Sequence, residues 1–141
     1  MFDVQASIGR VHILKPDYGS DLLKELQKYV LANHINLAWL SGVGAVSKAN
    51  IRYYDQPVQK WIDLELDQKL EVAGMWGNVS LLNGEPIVHV HIALADREGR
   101  CYGGHLADGT LVFNLEIMLT TLVGPNVIRR MDPQTGLTLW H

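Results

Sequence analysis

This sequence has almost no cysteine, no basic tract and no long apolar run, and each lack removes a class of protein. A single cysteine, Cys101, among 141 residues leaves no intrachain disulfide to staple the fold and suits a reducing compartment. No hydrophobic stretch approaches the roughly 20 residues a helix needs to cross a bilayer. Met1-Phe2-Asp3-Val4 shows neither the basic start nor the apolar segment of a secretory signal, so a cytoplasmic protein with no membrane partner is expected. Lys and Arg total 12 against 15 Asp and Glu, a net charge of −3, and the cations are scattered along the chain. Neutralising phosphates supplies most nucleic-acid affinity, so the missing basic stripe weighs against direct DNA binding by one chain. Assembly of several copies could still gather charge on one face. Gly-x-Ser-x-Gly, His-Glu-x-x-His and Walker motifs are absent too.

What is present is ordinary globular composition, 48% hydrophobic and 19% charged, in a chain long enough to bury a core. With no repeat, linker or low-complexity stretch, residues 1–141 read as one domain, its core spanning about 8–123 and residues 124–141 forming a loosely structured tail. A strand over Arg10–Leu14 stops at the turn-forming run Lys15-Pro16-Asp17-Tyr18-Gly19. Ser20 as cap and Asp21 in the first turn open a helix that ends near Asn33-His34. Leu22, Leu23, Leu26, Tyr29 and Val30 form its buried stripe, while Lys24, Gln27 and Lys28 face water. Strands follow over Ala38–Val46, Asn50–Tyr54, Lys60–Leu66, Leu70–Leu82, Ile87–Ala95 and Arg100–Ala107. A long strand then places Leu111, Phe113, Leu115, Ile117 and Leu119 on one apolar face. The class is α+β: mostly sheet, with one principal helix.

Three histidines carry the chemistry. Alternate residues of a strand share a face, so His89 and His91 project together, away from Val88, Val90, Ile92 and Leu94. A three-residue loop, Arg97-Glu98-Gly99, with Gly99 left-handed, makes a bulged hairpin that pairs Asp96 with Arg100, Ala93 with Gly103, and His91 with His105. His89, His91 and His105 then converge, with open space at Gly103 and Gly104. A two-residue turn would instead send His105 to the opposite face; Gly99 favours the first register. Three neutral imidazoles with a free fourth position suit a divalent metal, zinc foremost. The bland alternative is a cluster of surface histidines without a ligand.

A two-residue turn at Asn83-Gly84 would pair Leu82 with Glu85, Asn78 with His89, and Trp76 with His91. Asn78 and Trp76 would then line the site as polar neighbour and aromatic wall, unless Gly74 and Gly77 shift the register. Cys101 lies too far along its strand to be a fourth ligand and reads as a buried, inert thiol. Ser41-Gly42-Val43-Gly44-Ala45 reads as close backbone packing, because no helix follows to complete a phosphate cradle. His12 and His34 lack companions of ligand type, and Arg129-Arg130 is too short a basic run to argue for nucleic acid. The four tryptophans, Trp39, Trp61, Trp76 and Trp140, could serve the core or a subunit contact.

Leu40-Ser41-Gly42-Val43-Gly44-Ala45-Val46, Tyr53-Tyr54-Asp55, Gly77-Asn78-Val79-Ser80-Leu81, His89-Val90-His91 and Tyr102-Gly103-Gly104-His105-Leu106 together resemble the plant- and prokaryote-conserved (PPC) domain. The likeness runs from the first strand to about Leu122. It implies a mixed, largely antiparallel sheet with a flanking helix, a stand-alone protein assembled as a homotrimer, and a metal site at His89, His91 and His105. The family is commonly labelled DNA-binding, largely through the AT-hooks of its plant members, and no Arg-Gly-Arg-Pro core occurs here. Three functions are weighed: a trimeric, metal-containing regulatory or interaction module associated with DNA or protein; a metal-dependent enzyme acting on a small molecule through a metal-bound water; and a metal that only stabilises the fold.

Overall fold

A computed structural model describes all residues, 1–141. In chain order the elements are β1 (Ser7–Leu14), α1 (Leu22–Ala32), β2 (Ala38–Asp55), β3 (Lys60–Leu66), β4 (Leu70–Leu82), β5 (Glu85–Ala95), β6 (Cys101–Leu106), β7 (Leu111–Val123), β8 (Ile128–Asp132) and β9 (Leu137–Trp140). They form the expected mixed, largely antiparallel sheet with one flanking helix; the β4–β8 pairing is parallel.

β2 organises the sheet. Its first half, Ala38–Val46, lies between β7 and β4, while its second half pairs with β3 and touches β6 at Ile51↔Leu106 and Arg52↔His105. Since β4 pairs with β5 and β5 with β6, the strands β2, β4, β5 and β6 close into a ring. The sequence suggested two separate strands here, but one strand continues through Ser47–Ala49, with a register shift between Val46 and Lys48 where it changes partners. Gly42 and Gly44 allow the close approach the sequence predicts: a Cβ on Gly42 would crowd the Glu116 carbonyl, Ile117 and Met75, and Gly44 has φ +143° against the Asn114 carbonyl.

Inside the curved sheet lies one apolar core. Leu40, Ile51, Met75, Val90, Ile92, Leu94, Leu115, Ile117 and Leu119 meet Leu22, Leu26 and Val30 of α1. The helix caps on Asp21, whose carboxylate accepts from the Lys24 amide at 3.3 Å, and not on Ser20, whose hydroxyl turns back to the Asp17 carbonyl. Gln27 also departs from the expected solvent role. Its side-chain amide donates to the Pro86 carbonyl (2.6 Å), and its oxygen accepts from the Val88 amide (3.0 Å). β6 pairs with β5 only over His91–Ala95, so this amide stands in for the missing strand partner and satisfies groups that burial would otherwise penalise.

Phe113 is half-exposed rather than core. Ala45 pairs with Asn114 and Val46 with Val112, so Phe113 is an extra residue that flips the strand's parity and lets Val112 face inward. Residues 124–141 are not loose: β8 and β9 form a hairpin, with Asp132 accepting from the Gln134 and Thr135 amides in its turn. β8 runs along Leu81 and Leu82, beyond the part of β4 that β2 covers.

Candidate metal centre

Both turns that set the histidine register fold as the sequence predicts. Asn83 and Gly84 have φ +54° and +84°, a two-residue turn that pairs Leu82 with Glu85, Asn78 with His89, and Trp76 with His91. Gly99 has φ +78°, the Asp96 amide donates to the Arg100 carbonyl at 3.0 Å, and His91 pairs with His105. Ring closure then sets Arg52 of β2 opposite His105, and Asp63 of β3 opposite Arg52. One cross-strand row therefore reads Ser41, Trp76, His91, His105, Arg52, Asp63, and its neighbour reads Trp39, Asn78, His89. These rows lie on the face opposite the core.

The ligand-type nitrogens of His89, His91 and His105 lie within 4.8 Å of one another, close enough to hold one ion. His89 Nε2 and His105 Nδ1 are 3.0 Å apart. Four-coordinate zinc with bonds of about 2.0–2.1 Å spaces its ligand nitrogens about 3.3 Å apart, so small side-chain shifts fit the trio to a tetrahedral ion. The donor chemistry agrees. His89 is pushed down to about 4 by burial, then by the Arg129 guanidinium and the neighbouring imidazoles. His105 is likewise pushed down to about 4, first by burial, then by His91 and Arg52. Both rings are neutral at physiological pH, as ligation requires.

Arg129 is the neighbour the sequence reading missed. Delivered by the C-terminal hairpin, it donates to Asn78 Oδ1 (2.9 Å), Ser80 Oγ (2.8 Å) and the Thr138 carbonyl (3.1 Å), and reaches His89 Nδ1 at 3.3 Å. An arginine can only donate, so Nδ1 of His89 accepts and Nε2 carries the proton toward His105. Ligation through Nε2 would move that proton to Nδ1 and break the Arg129 contact, leaving Arg129 its other three partners. Trp140 packs over the guanidinium, 5.8 Å from its carbon, and its indole N–H donates to Ser80. Nothing in the run Arg129-Arg130 signals this role, because every hydrogen-bond partner of the side chain but Thr138 lies 40 or more residues away in sequence.

Other expectations shift in detail. Asn78 sits where predicted and reaches His89 through Arg129. Trp76 pairs with His91, but its indole folds back over Gly74, which has no Cβ to obstruct it. The aromatic wall is Trp61 of β3, edge-on to His105 with ring centroids 4.7 Å apart. Gly103 and Gly104 line a cavity of about 740 Å³ that opens beside His91 and His105. Cys101 is exposed, not buried. His12 bonds the Tyr29 hydroxyl at 2.9 Å, and His34 takes a left-handed turn after α1, so neither joins a site.

The Plants and Prokaryotes Conserved (PCC) domain model matches residues 4–123. A solved structure of a metal-containing protein from Archaeoglobus fulgidus is 36% identical, with TM-score 0.95 over 100% of this chain and 99% of that one. A plant- and prokaryote-conserved protein from Pyrococcus horikoshii is 32% identical, with TM-score 0.92 over 100% and 97%. A protein from Bacteroides thetaiotaomicron, provisionally described as DNA-binding, shares the fold at 19% identity and TM-score 0.86 over 96% of each chain. Among curated proteins, the bifunctional protein GlmU of Synechococcus sp. (strain JA-3-3Ab) is 34% identical over 134 residues, 94% of this chain. The chain spans about a fifth of that relative's length.

Proposed function

The chain belongs to the Plants and Prokaryotes Conserved domain family, and on that premise we propose that it is a metal-binding module in which His89, His91 and His105 hold one divalent ion, zinc foremost. The observation that carries this reading is the convergence of three ligand-type nitrogens within 4.8 Å, with two of the rings held neutral. The metal-containing Archaeoglobus relative, similar along its whole length, supports it. When bound, the ion would supply Lewis acidity and an open coordination position. The chain's own residues do the rest: Trp61 packs against the His105 ring, β6 sets His105 against His91, and Arg129 holds Asn78 and Ser80 beside His89.

The working form in this proposal is a cytoplasmic homotrimer. Its support is the outer face of β7, β2 and β4, where Met118, Val43, Trp39 and Trp76 are each about half exposed in one chain. An apolar patch of this kind marks an association surface, and it adjoins the histidine rows. No helix is long and apolar enough to cross a membrane. The match within a much longer curated protein fits a module that works beside other activities, as a regulatory or interaction part. DNA is the weaker half of this reading. The net charge of −3 predicts weak binding that falls steeply with salt, if three chains together present enough cations.

The cavity that opens on His91 and His105 favours a second reading, an enzyme or receptor for a small molecule. Metal content of tag-free protein, measured by plasma mass spectrometry beside His89→Ala, His91→Ala and His105→Ala, tests the shared premise. Near-stoichiometric metal, lost in each variant, is expected. A wild type that neither carries nor takes up metal would overturn it.

A further inference from the structure

Charge around the histidines does not balance. Metal-ligating histidines commonly lean on a carboxylate; here the group behind His89 is the Arg129 guanidinium, which has no acidic partner. On the other side stands Arg52, opposite His105, its guanidinium carbon 5.4 Å from the Trp61 ring centre. Its one counter-ion is Asp63, bonded to Nε at 2.5 Å and Nη2 at 3.5 Å, on the exposed rim. Two guanidiniums and one carboxylate leave one net positive charge among the fixed charges around the three imidazoles, before any ion binds. A divalent ion would raise this to +3.

The cavity beside the cluster has the same character. Its roughly 740 Å³ is lined by Arg52, His91, His105, Gln59, Tyr54 and neighbours, with no Asp or Glu among them. That volume falls in the range of small-molecule sites. Its rim is fixed where the β8–β9 turn docks on the β2–β3 hairpin: Tyr54 donates to the Thr135 carbonyl (2.6 Å) and Gln59 to the Gln134 carbonyl (3.0 Å). Asp63 and Trp61 hold Arg52 at this wall, and its Nη1 makes no hydrogen bond within the chain. Arg129, the unpaired guanidinium, lies behind His89 and outside the cavity lining, so within the cavity it is Arg52, with Nη1 free, that can offer an anion charge-assisted bonds.

From this we infer that the cavity binds a small organic anion, whose carboxylate or phosphate is taken by Arg52 next to the histidines. The inference names the ligand class of the proposed metal site and rests on that reading. A duplex backbone is the wrong shape for a pocket walled by two hairpins, and the chain's own net negative charge repels a polyanion.

Calorimetry with glycolate and methyl phosphate, and with glycolamide as neutral control, tests it on metal-loaded and metal-free protein. At least one anion should bind the loaded protein, with glycolamide at least tenfold weaker. Arg52→Met should weaken the anion at least tenfold while metal content stays at the wild-type level; Arg52→Lys, which keeps the charge but loses the planar fork, should fall between. Equal anion binding by Arg52→Met, binding of neither anion, or response to DNA alone would overturn the inference. If the wild type takes up no metal, the metal reading fails by itself. The metal-free arm then decides: anion binding lost in Arg52→Met sustains the anion site, and no binding removes it.

Discussion

Acidifying the metal-free protein from pH 7 to pH 4.5 should destabilise it through His89 and His105 specifically. Each ring is held at about 4 in the folded chain, against an ordinary 6.5. Between those values the unfolded chain takes up protons that the folded chain refuses, so stability falls as pH falls through this window. At about 1.36 kcal/mol per pH unit, a drop from 6.5 to about 4 corresponds to about 3.4 kcal/mol per imidazole if fully expressed. Both rings are partly exposed, and solvent screening reduces this to on the order of 1–2 kcal/mol each. Carboxylates do not confuse the window. Asp132 is held below the usual range, chiefly by the Thr135 hydroxyl. At Asp96 burial works upward, but bonds from Arg100 and Tyr102 prevail and hold it low. Their contributions are lost only beneath about pH 4. Urea denaturation of chelator-treated wild type and of a His89→Gln/His105→Gln double variant, at steps from pH 7 to pH 4.5, measures the effect. The wild type should lose on the order of 2–4 kcal/mol more than the variant. Parallel curves would show that the two rings are not held neutral by the fold, and the account of their environment would be wrong.

Other substitutions probe the frame. Gln27→Ala should cost about 1–3 kcal/mol in urea denaturation, because the Pro86 carbonyl and Val88 amide lose their partner; Gln27→Glu should be no better, since its carboxylate cannot donate to Pro86. Gly44→Ala combines a forbidden φ with a collision against the Asn114 carbonyl, and should lower stability by more than about 2 kcal/mol, or abolish soluble expression. Leu119→Ala, wholly buried between β7 and the core, should cost about 2–5 kcal/mol; a loss below 1 kcal/mol would mean the core is looser than described. Trp76→Lys should dissociate the proposed trimer in light scattering, and an unchanged mass would move the association surface elsewhere.

Legibility in the sequence followed the range of the interactions. The histidine register was readable because two local turns dictate it: Asn83-Gly84 and Gly99 fix backbone geometry within a few residues, and period-two alternation carries the result along the strands. Helix α1 and strands β3 and β4 were equally plain from composition and spacing. The misses were non-local. The β8–β9 hairpin has strands of only five and four residues, and β8 gains its place from a parallel pairing with β4, more than 40 residues earlier. In the sequence Arg129 therefore reads only as part of a basic run too short to argue for nucleic acid. Phe113 escaped its predicted face because a bulge, invisible in the alternation, reverses parity near the start of β7. Trp76 was correctly registered, yet its indole lies over Gly74, a rotamer choice that strand periodicity cannot encode.

Closure of the β2–β4–β5–β6 ring also orders events in time. His89 and His91 gain their neighbours as soon as the β4–β5 hairpin forms, a local step of the kind that is fast. His105 joins His91 through a second local hairpin, β5–β6, but its strand must also meet Arg52 of β2, 53 residues earlier, on its other side. Such distant pairings are slow, so the trio forms with its two hairpins and the cavity wall that Arg52 builds is the last part to be fixed. A metal held as proposed would then meet imidazoles already brought together instead of gathering them from separate strands. On that proposal the chain would fold without the ion and could be loaded afterwards.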